Sequence, residues 1–292
     1  MDTNRSPGFA MSTPPRGGGR VRAYLEFIVA ILYFFVARSF AFRVAASLTA
    51  DEWYPLVDQA MLALLLVLGY AAFGFLFDRQ KHPISAQGLP PRPGWPREAG
   101  VGLAVGWAAV LICVLPLALM GGIAIVLSTQ ATAWGALAAD LLFFALVALV
   151  EEVVFRGYGF QRFESVVGPY GAALGFALFY AIVQALQPGS NRASIAVAIV
   201  FSLLLSTAYL RTRALWLSWG LNLGWKASRA LIFGLAVSGV GGHSSVVEGD
   251  PMGPLWLTGG GYGIDGSWMA FIVLLLAFPV IYRVTQIGRA HV

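Results

Sequence analysis

Charge is scarce in this chain. Of its 292 residues only 11% are Asp, Glu, Lys or Arg and 58% are hydrophobic, against about 25% charged and about 45–50% apolar in soluble domains. Cysteine is nearly absent: the single Cys113 lies in an apolar run, which excludes a disulfide scaffold. Histidine occurs three times, at His82, His243 and His291, and none falls within an apolar run. So hydrophobic a composition excludes an intrinsically disordered chain. The net charge of +5 does not indicate nucleic acid, because the basic residues are spread over several short loops instead of forming one stripe. No internal repeat is evident, so the inverted-repeat pattern of many transporters is unsupported.

What the chain has in abundance is apolar runs long enough to cross a bilayer, which needs about 17–25 residues. Eight are found, at 24–46, 55–77, 99–127, 133–155, 170–187, 193–210, 214–236 and 267–284. The expected fold is all-α, a polytopic transmembrane bundle of about eight helices with both termini cytoplasmic. Orientation follows from the positive-inside rule. Arg5, Arg16, Arg20 and Arg22 precede the first run, and Arg79, Lys81, Arg92 and Arg97 follow the second. Arg156 and Arg162, then Arg211 and Arg213, then Arg283 and Arg289 mark the later loops on that same side. The opposite loops carry Asp51, Glu52, Glu248, Asp250 and Asp265 with Arg192.

The first run also imitates a cleaved signal peptide, with a basic leader and Val44-Ala45-Ala46, but Arg38 and Arg43 interrupt the approach to that site. Residues 1–22, rich in Pro and Gly, are expected to be a disordered cytoplasmic tail, and 23–286 the bundle. Residues 287–292, IGRAHV, look like a translated sequencing adapter and are set apart from fold reasoning. The proline-rich 78–97 reads as a stiff cytoplasmic loop, and 238–266 as a glycine-rich outer one. Trp53, Trp134, Trp216 and Trp256 near the span ends read as interfacial anchors.

Charges inside such runs are costly and usually face a bundle interior. The fourth run reads Asp140-LLFFALVALV-Glu151-Glu152-VVF-Arg156. Asp140 and Glu151 are nearly three turns apart, on one face and about 16 Å from each other. Glu152 and Arg156, at i and i+4, can pair, which leaves Glu151 free in the manner of a general base taking a proton from water. The alternative is that these charges merely end a helix at the headgroups. Asn222, Lys226 and Arg229 share one face of the seventh run and need an anionic partner, for which Glu151 and Glu152 are candidates. Tyr180 and Gln184 share a face of the fifth, where a Gln can equally serve as a helix-to-helix hydrogen bond.

The string Glu151-Glu152-Val-Val-Phe155-Arg156-Gly157 resembles the EExxxR signature of the CAAX protease and bacteriocin-processing (CPBP) family, the type II CAAX prenyl endopeptidases. The likeness continues in order. Phe179 to Gly189 resembles the family's FxxxH segment, Ala208 to Lys226 its HxxxN segment, and Leu257 to Ser267 a glycine-rich stretch of bacterial members, so that it covers about 134–284.

The resemblance implies intramembrane peptide-bond hydrolysis by a Glu-activated water in the wall of a cytoplasmic-side cavity. Glu151 would be the base and Glu152 and Arg156 its supporting pair. Gln184, Asn222 and Lys226 stand where the family has His, His and Asn, and Tyr180 stands for Phe. Amides can donate to an oxyanion but cannot shuttle protons or ligate metal as imidazole does. No cofactor or metal is implied. The implied partners are the lipid bilayer and a membrane-associated or prenylated peptide or protein, with no nucleic acid; the implied location is a cell membrane, multi-pass and of bacterial plasma-membrane type. Three functions stay open: an endopeptidase with an altered site, a catalytically inactive pseudoprotease that binds a membrane peptide or partner, and a carrier or channel.

Overall fold

Backbone amides surrounded by hydrocarbon have no water to pair with, so apolar runs of this length fold as helices. The computed structural model describes residues 17–49, 53–90, 92–128, 130–241, 244 and 246–287, and within them six helical stretches are long and apolar enough to cross a membrane. They are formed by α1 (Gly17–Leu48), α2 (Tyr54–Leu76), α4 (Trp95–Leu119), α5 (Ala131–Arg156) continued by α6 (Tyr158–Ala185), α7 (Arg192–Thr212) and α10 (Trp268–Ile287). The short α3 (Pro83–Ala86) lies in the proline-rich loop.

The boundaries depart from the hydropathy reading in several places. Residues 17–22, assigned to the tail, form the start of α1. The run 99–127 divides: its helix stops at Leu119, and after the turn at Gly121 and Gly122 the segment Ile123–Leu127, with β-branched Ile123, Ile125 and Val126, forms strand β1, antiparallel to β2 (Val247–Pro251). Hydropathy alone cannot distinguish an apolar strand from the end of an apolar helix. The expected loop after Arg156 is helical too, since α6 begins at Tyr158 and bends at Gly168, whose φ of +82° precedes Pro169. The run 214–236 is a short helix, α8 (Trp216–Ala227), prolonged by a π-helical turn over Ser228–Ile232. The outer loop contains β2, α9 (Leu255–Thr258) and two 3-10 turns. His243 and residues 288–292 lie outside the described residues.

The core is built around α7 and α8. Phe201, Leu204, Leu205 and Ala208 of α7, with Leu217, Leu221 and Trp225 of α8, are all buried. α8 runs parallel to α4 at backbone contact. A Cβ added to Gly102 or Gly106 of α4 would lie 2.2 Å from the Leu217 carbonyl oxygen or 2.4 Å from that of Leu221, and one added to Gly220 or Gly224 of α8 would meet Ala99 O at 2.1 Å or Leu103 O at 2.3 Å. Two GxxxG steps thus face each other, the arrangement that lets membrane helices pack on their backbones. α1 packs against α2 and α6, and Arg38 of α1 pairs with the buried Asp58 of α2 at 2.6 Å.

Candidate active site

The close α4–α8 contact presents the polar stripe of α8 to the C-terminal end of α5. Asn222 and Lys226, one turn apart on α8, meet the two adjacent acids there. Lys226 Nζ lies 2.6 Å from Glu151 Oε1. The Asn222 amide nitrogen donates to Glu151 Oε2 at 2.9 Å and to Glu152 Oε1 at 3.1 Å. Arg156, one turn after Glu152 on α5, donates to the same Glu152 Oε1 at 3.3 Å, and its other terminal nitrogen reaches the Ser202 carbonyl and hydroxyl of α7 at 3.0 and 3.2 Å. Burial forces this pairing, because a charge removed from water must be compensated. Glu152 and Asn222 are fully buried and Arg156 and Lys226 nearly so, whereas the Glu151 side chain keeps 22% of its surface accessible. Glu151 is therefore the member of the cluster that a substrate could approach.

Gln184, expected to join Glu151, bonds to other partners. Its side-chain amide nitrogen donates to Ser238 Oγ at 2.9 Å, beyond the π-helical turn, and its backbone carbonyl accepts from the Tyr262 hydroxyl at 3.4 Å. Burial, reinforced by the nearby Asp265 carboxylate, pushes the Tyr262 phenol up, so it remains a donor.

Arg229 also departs from expectation. It pairs with Asp265 of the glycine-rich segment and not with Glu151 or Glu152. Trp225 Nε1 donates to the same carboxylate at 2.8 Å, and the Arg229 guanidinium lies over the Trp225 ring at 5.4 Å. The physical reason is register: the π-helical turn starts at Ser228, directly before Arg229, and breaks the 3.6-residue stripe that Asn222 and Lys226 follow. A small cavity bordered by Tyr180, Gln184, Phe201, Trp225, Arg229 and Asp265 lies at this second level.

The glycines of the outer segment have a packing reason. Gly263 holds φ +86°, and a Cβ there would stand 2.0 Å from Ala236 O, so a bulkier residue would push Asp265 away from Arg229. Asp140 stays three turns back on α5, half-buried and apart from the cluster. His82 is exposed in the proline-rich loop, and Cys113 is buried in α4. Among the described residues, no three His, Cys, Asp or Glu side chains gather as a metal ion would require.

Two elements of the site escape a reading made for charge and hydropathy. Asp265 counts there as one more outer-loop acid, though its place in a glycine-rich string is a signal of close packing. The four glycines of α4 and α8 are legible as paired GxxxG motifs.

The family model for type II CAAX prenyl endopeptidase Rce1-like proteins matches residues 132–228, a segment that contains Glu151, Glu152, Arg156, Gln184, Asn222 and Lys226. No curated protein and no solved structure matches the chain. With its apolar helices and its two adjacent acids on α5, this multi-pass membrane protein is similar, over residues 132–228, to the Rce1-like type II CAAX prenyl endopeptidases.

Proposed function

We propose that this CAAX-protease-like membrane protein is a pseudoprotease, which binds a membrane-associated or prenylated peptide in the family's manner without hydrolysing it. One observation carries the reading: both oxygens of Glu151 are engaged, Oε1 by Lys226 at 2.6 Å and Oε2 by Asn222 at 2.9 Å. A general base must have an oxygen within about 2.6–3.2 Å of the water it deprotonates. Here the Lys226 ammonium takes one such position on Oε1 and the Asn222 amide one on Oε2. The second requirement of peptide hydrolysis is a donor aimed at the developing oxyanion. Asn222 already gives its amide to two carboxylates, and Gln184 gives its own to Ser238. Glu151, Glu152, Arg156, Asn222 and Lys226 then act as an ionic lock between α5 and α8, while the accessible edge of Glu151 faces the bound peptide. The bacterial plasma membrane is the proposed location.

The test is cleavage and retention of a prenylated CAAX-type reporter peptide in liposomes. The native protein and Glu151→Ala are expected to retain the peptide uncleaved. The combination Gln184→His, Asn222→His and Lys226→Asn, which restores the family's residues, is expected to cleave it. Cleavage by the native protein that Glu151→Ala abolishes would show an enzyme working without histidines and overturn the reading.

A further inference from the structure

We infer that the groove between α1 and α6 is a binding site for an anionic phospholipid, with one acyl chain inside the bundle wall and the headgroup on a basic rim. The inference does not rest on the state of the Glu151 site. Three observations carry it.

The first is a cavity of about 170 Å³ lined almost wholly by apolar groups, among them Phe27, Ala30 and Phe34 of α1, Gly159 and Phe176 of α6, and Val154 of α5. It is larger than a 150 Å³ apolar cavity that takes up benzene, so it has room for several methylene groups. Its outer rim is exposed: Phe179 is 37% exposed, next to Leu178 and close to Ile182 along α6, with Leu32 and Phe35 exposed along α1. Those side chains face lipid in a membrane-spanning helix, and an unfilled apolar cleft beside lipid would forfeit dispersion contacts that an acyl chain supplies.

The second is a charged lid at the cytoplasmic end of this groove. Arg22, Glu26, Ala30 and Phe34 form one stripe of α1 at successive i+4 steps. Arg22 bonds Glu26 at 2.7 Å and also donates to the Phe77 carbonyl. Arg162, next to the cavity-lining Phe163 on α6, bonds Asp78 at 2.8 Å and lies 3.6 Å from Glu26. The groove therefore passes from hydrocarbon directly into charge within one helical turn, the profile of a lipid chain meeting its headgroup.

The third is the sign of that rim. Arg22, whose side chain is 62% exposed, is held against Phe77, two residues before Arg79 and four before Lys81 in the chain, both exposed and without an ion pair among the described residues. With Arg162, four cations stand against the two carboxylates of Glu26 and Asp78. The excess is positive where a phosphate would lie, which selects an anionic headgroup over a zwitterionic one.

The experiment is retention of phosphatidylglycerol against phosphatidylcholine by the delipidated full chain, counted by native mass spectrometry. The native protein is expected to retain phosphatidylglycerol preferentially. Gly159→Leu, whose Cβ would lie 3.6 Å from the Ala30 Cβ and whose remaining atoms enter the cavity, is expected to lose it. Arg79→Gln with Lys81→Gln, both on the surface, is expected to lower phosphatidylglycerol retention at least about fivefold and leave phosphatidylcholine unchanged. Equal retention of the two lipids, native retention by Gly159→Leu, or displacement of the lipid by an uncharged prenylated peptide would each overturn the inference. Should Gly159→Leu fail to fold, unchanged retention in the double surface variant overturns it alone.

Discussion

Lys226 and Glu151 come from helices far apart in sequence, and each removes the other's uncompensated charge. Lys226 keeps 6% of its side chain accessible and Glu151 22%, so water screens the pair only in part. Truncating one member of such a pair costs about 3–5 kcal/mol because the partner is left buried and charged, whereas removing both leaves neither. Partial exposure of Glu151 places Lys226→Ala at the lower end of that range. Glu151→Ala should cost more, since the ammonium it abandons is the more buried of the two. Thermal unfolding in detergent is expected to show both single variants destabilised and the double variant recovering most of the loss, a coupling read from the cycle. An unchanged melting profile in Lys226→Ala would remove the ionic lock as a structural device. The sequence gives notice of this pair, because four intramembrane charges demanded partners. It does not tell which acid meets which base, since the π-helical turn that diverts Arg229 to Asp265 has no composition signature.

At the scale of elements, the position of Lys226 depends on how closely α8 approaches α4. Gly224 lies two residues before Lys226, and a Cβ there would stand 2.3 Å from Leu103 O and 3.0 Å from Leu103 Cα. Backbone atoms cannot give way as a side chain does, so Gly224→Ala must push the helices apart. Overpacking of this kind costs about 1–3 kcal/mol. The melting temperature of Gly224→Ala is expected to fall accordingly. Gly100→Ala is the control: it lies on α4, where an added Cβ meets nothing within 4 Å, and should be neutral or slightly stabilising, as alanine favours a helix by up to about 1 kcal/mol over glycine. Equal effects of the two substitutions would show that the GxxxG contact does not hold α8. The same helices mark what hydropathy could and could not reveal. The run 99–127 was legible as apolar, but its division into α4 and β1 follows from pairing with Val247–Pro251, more than a hundred residues away. The twelve residues of α8 were legible as part of a longer span. Their short length follows from the π-helical turn and the chain's return through the outer loop.

For the molecule as a whole, the legible feature is charge asymmetry along the chain, which predicts a helical bundle with its basic loops inside. The arrangement of helices around α7 and α8 was not legible, since it is decided by small residues and pairings distant in sequence. The asymmetry can be tested without altering the core. The native thiol, Cys113, is completely buried, so the unmodified protein offers no background to a water-soluble maleimide. Ser85, in the proline-rich loop, and Glu248, on β2, are both exposed. α4 connects the loop before Trp95 to the turn at Gly122, and its 25 residues span about 37 Å at 1.5 Å per residue. Gly122 in turn accepts backbone hydrogen bonds from Met252 and Gly253, just after β2, which places Ser85 and Glu248 at opposite ends of the bundle. In intact cells Glu248→Cys is expected to be labelled at once, and Ser85→Cys only after the membrane is permeabilised. The reverse pattern would invert the orientation and put the Glu151 cluster at the outer face, and labelling of both in intact cells would mean that α4 does not separate the two aqueous sides.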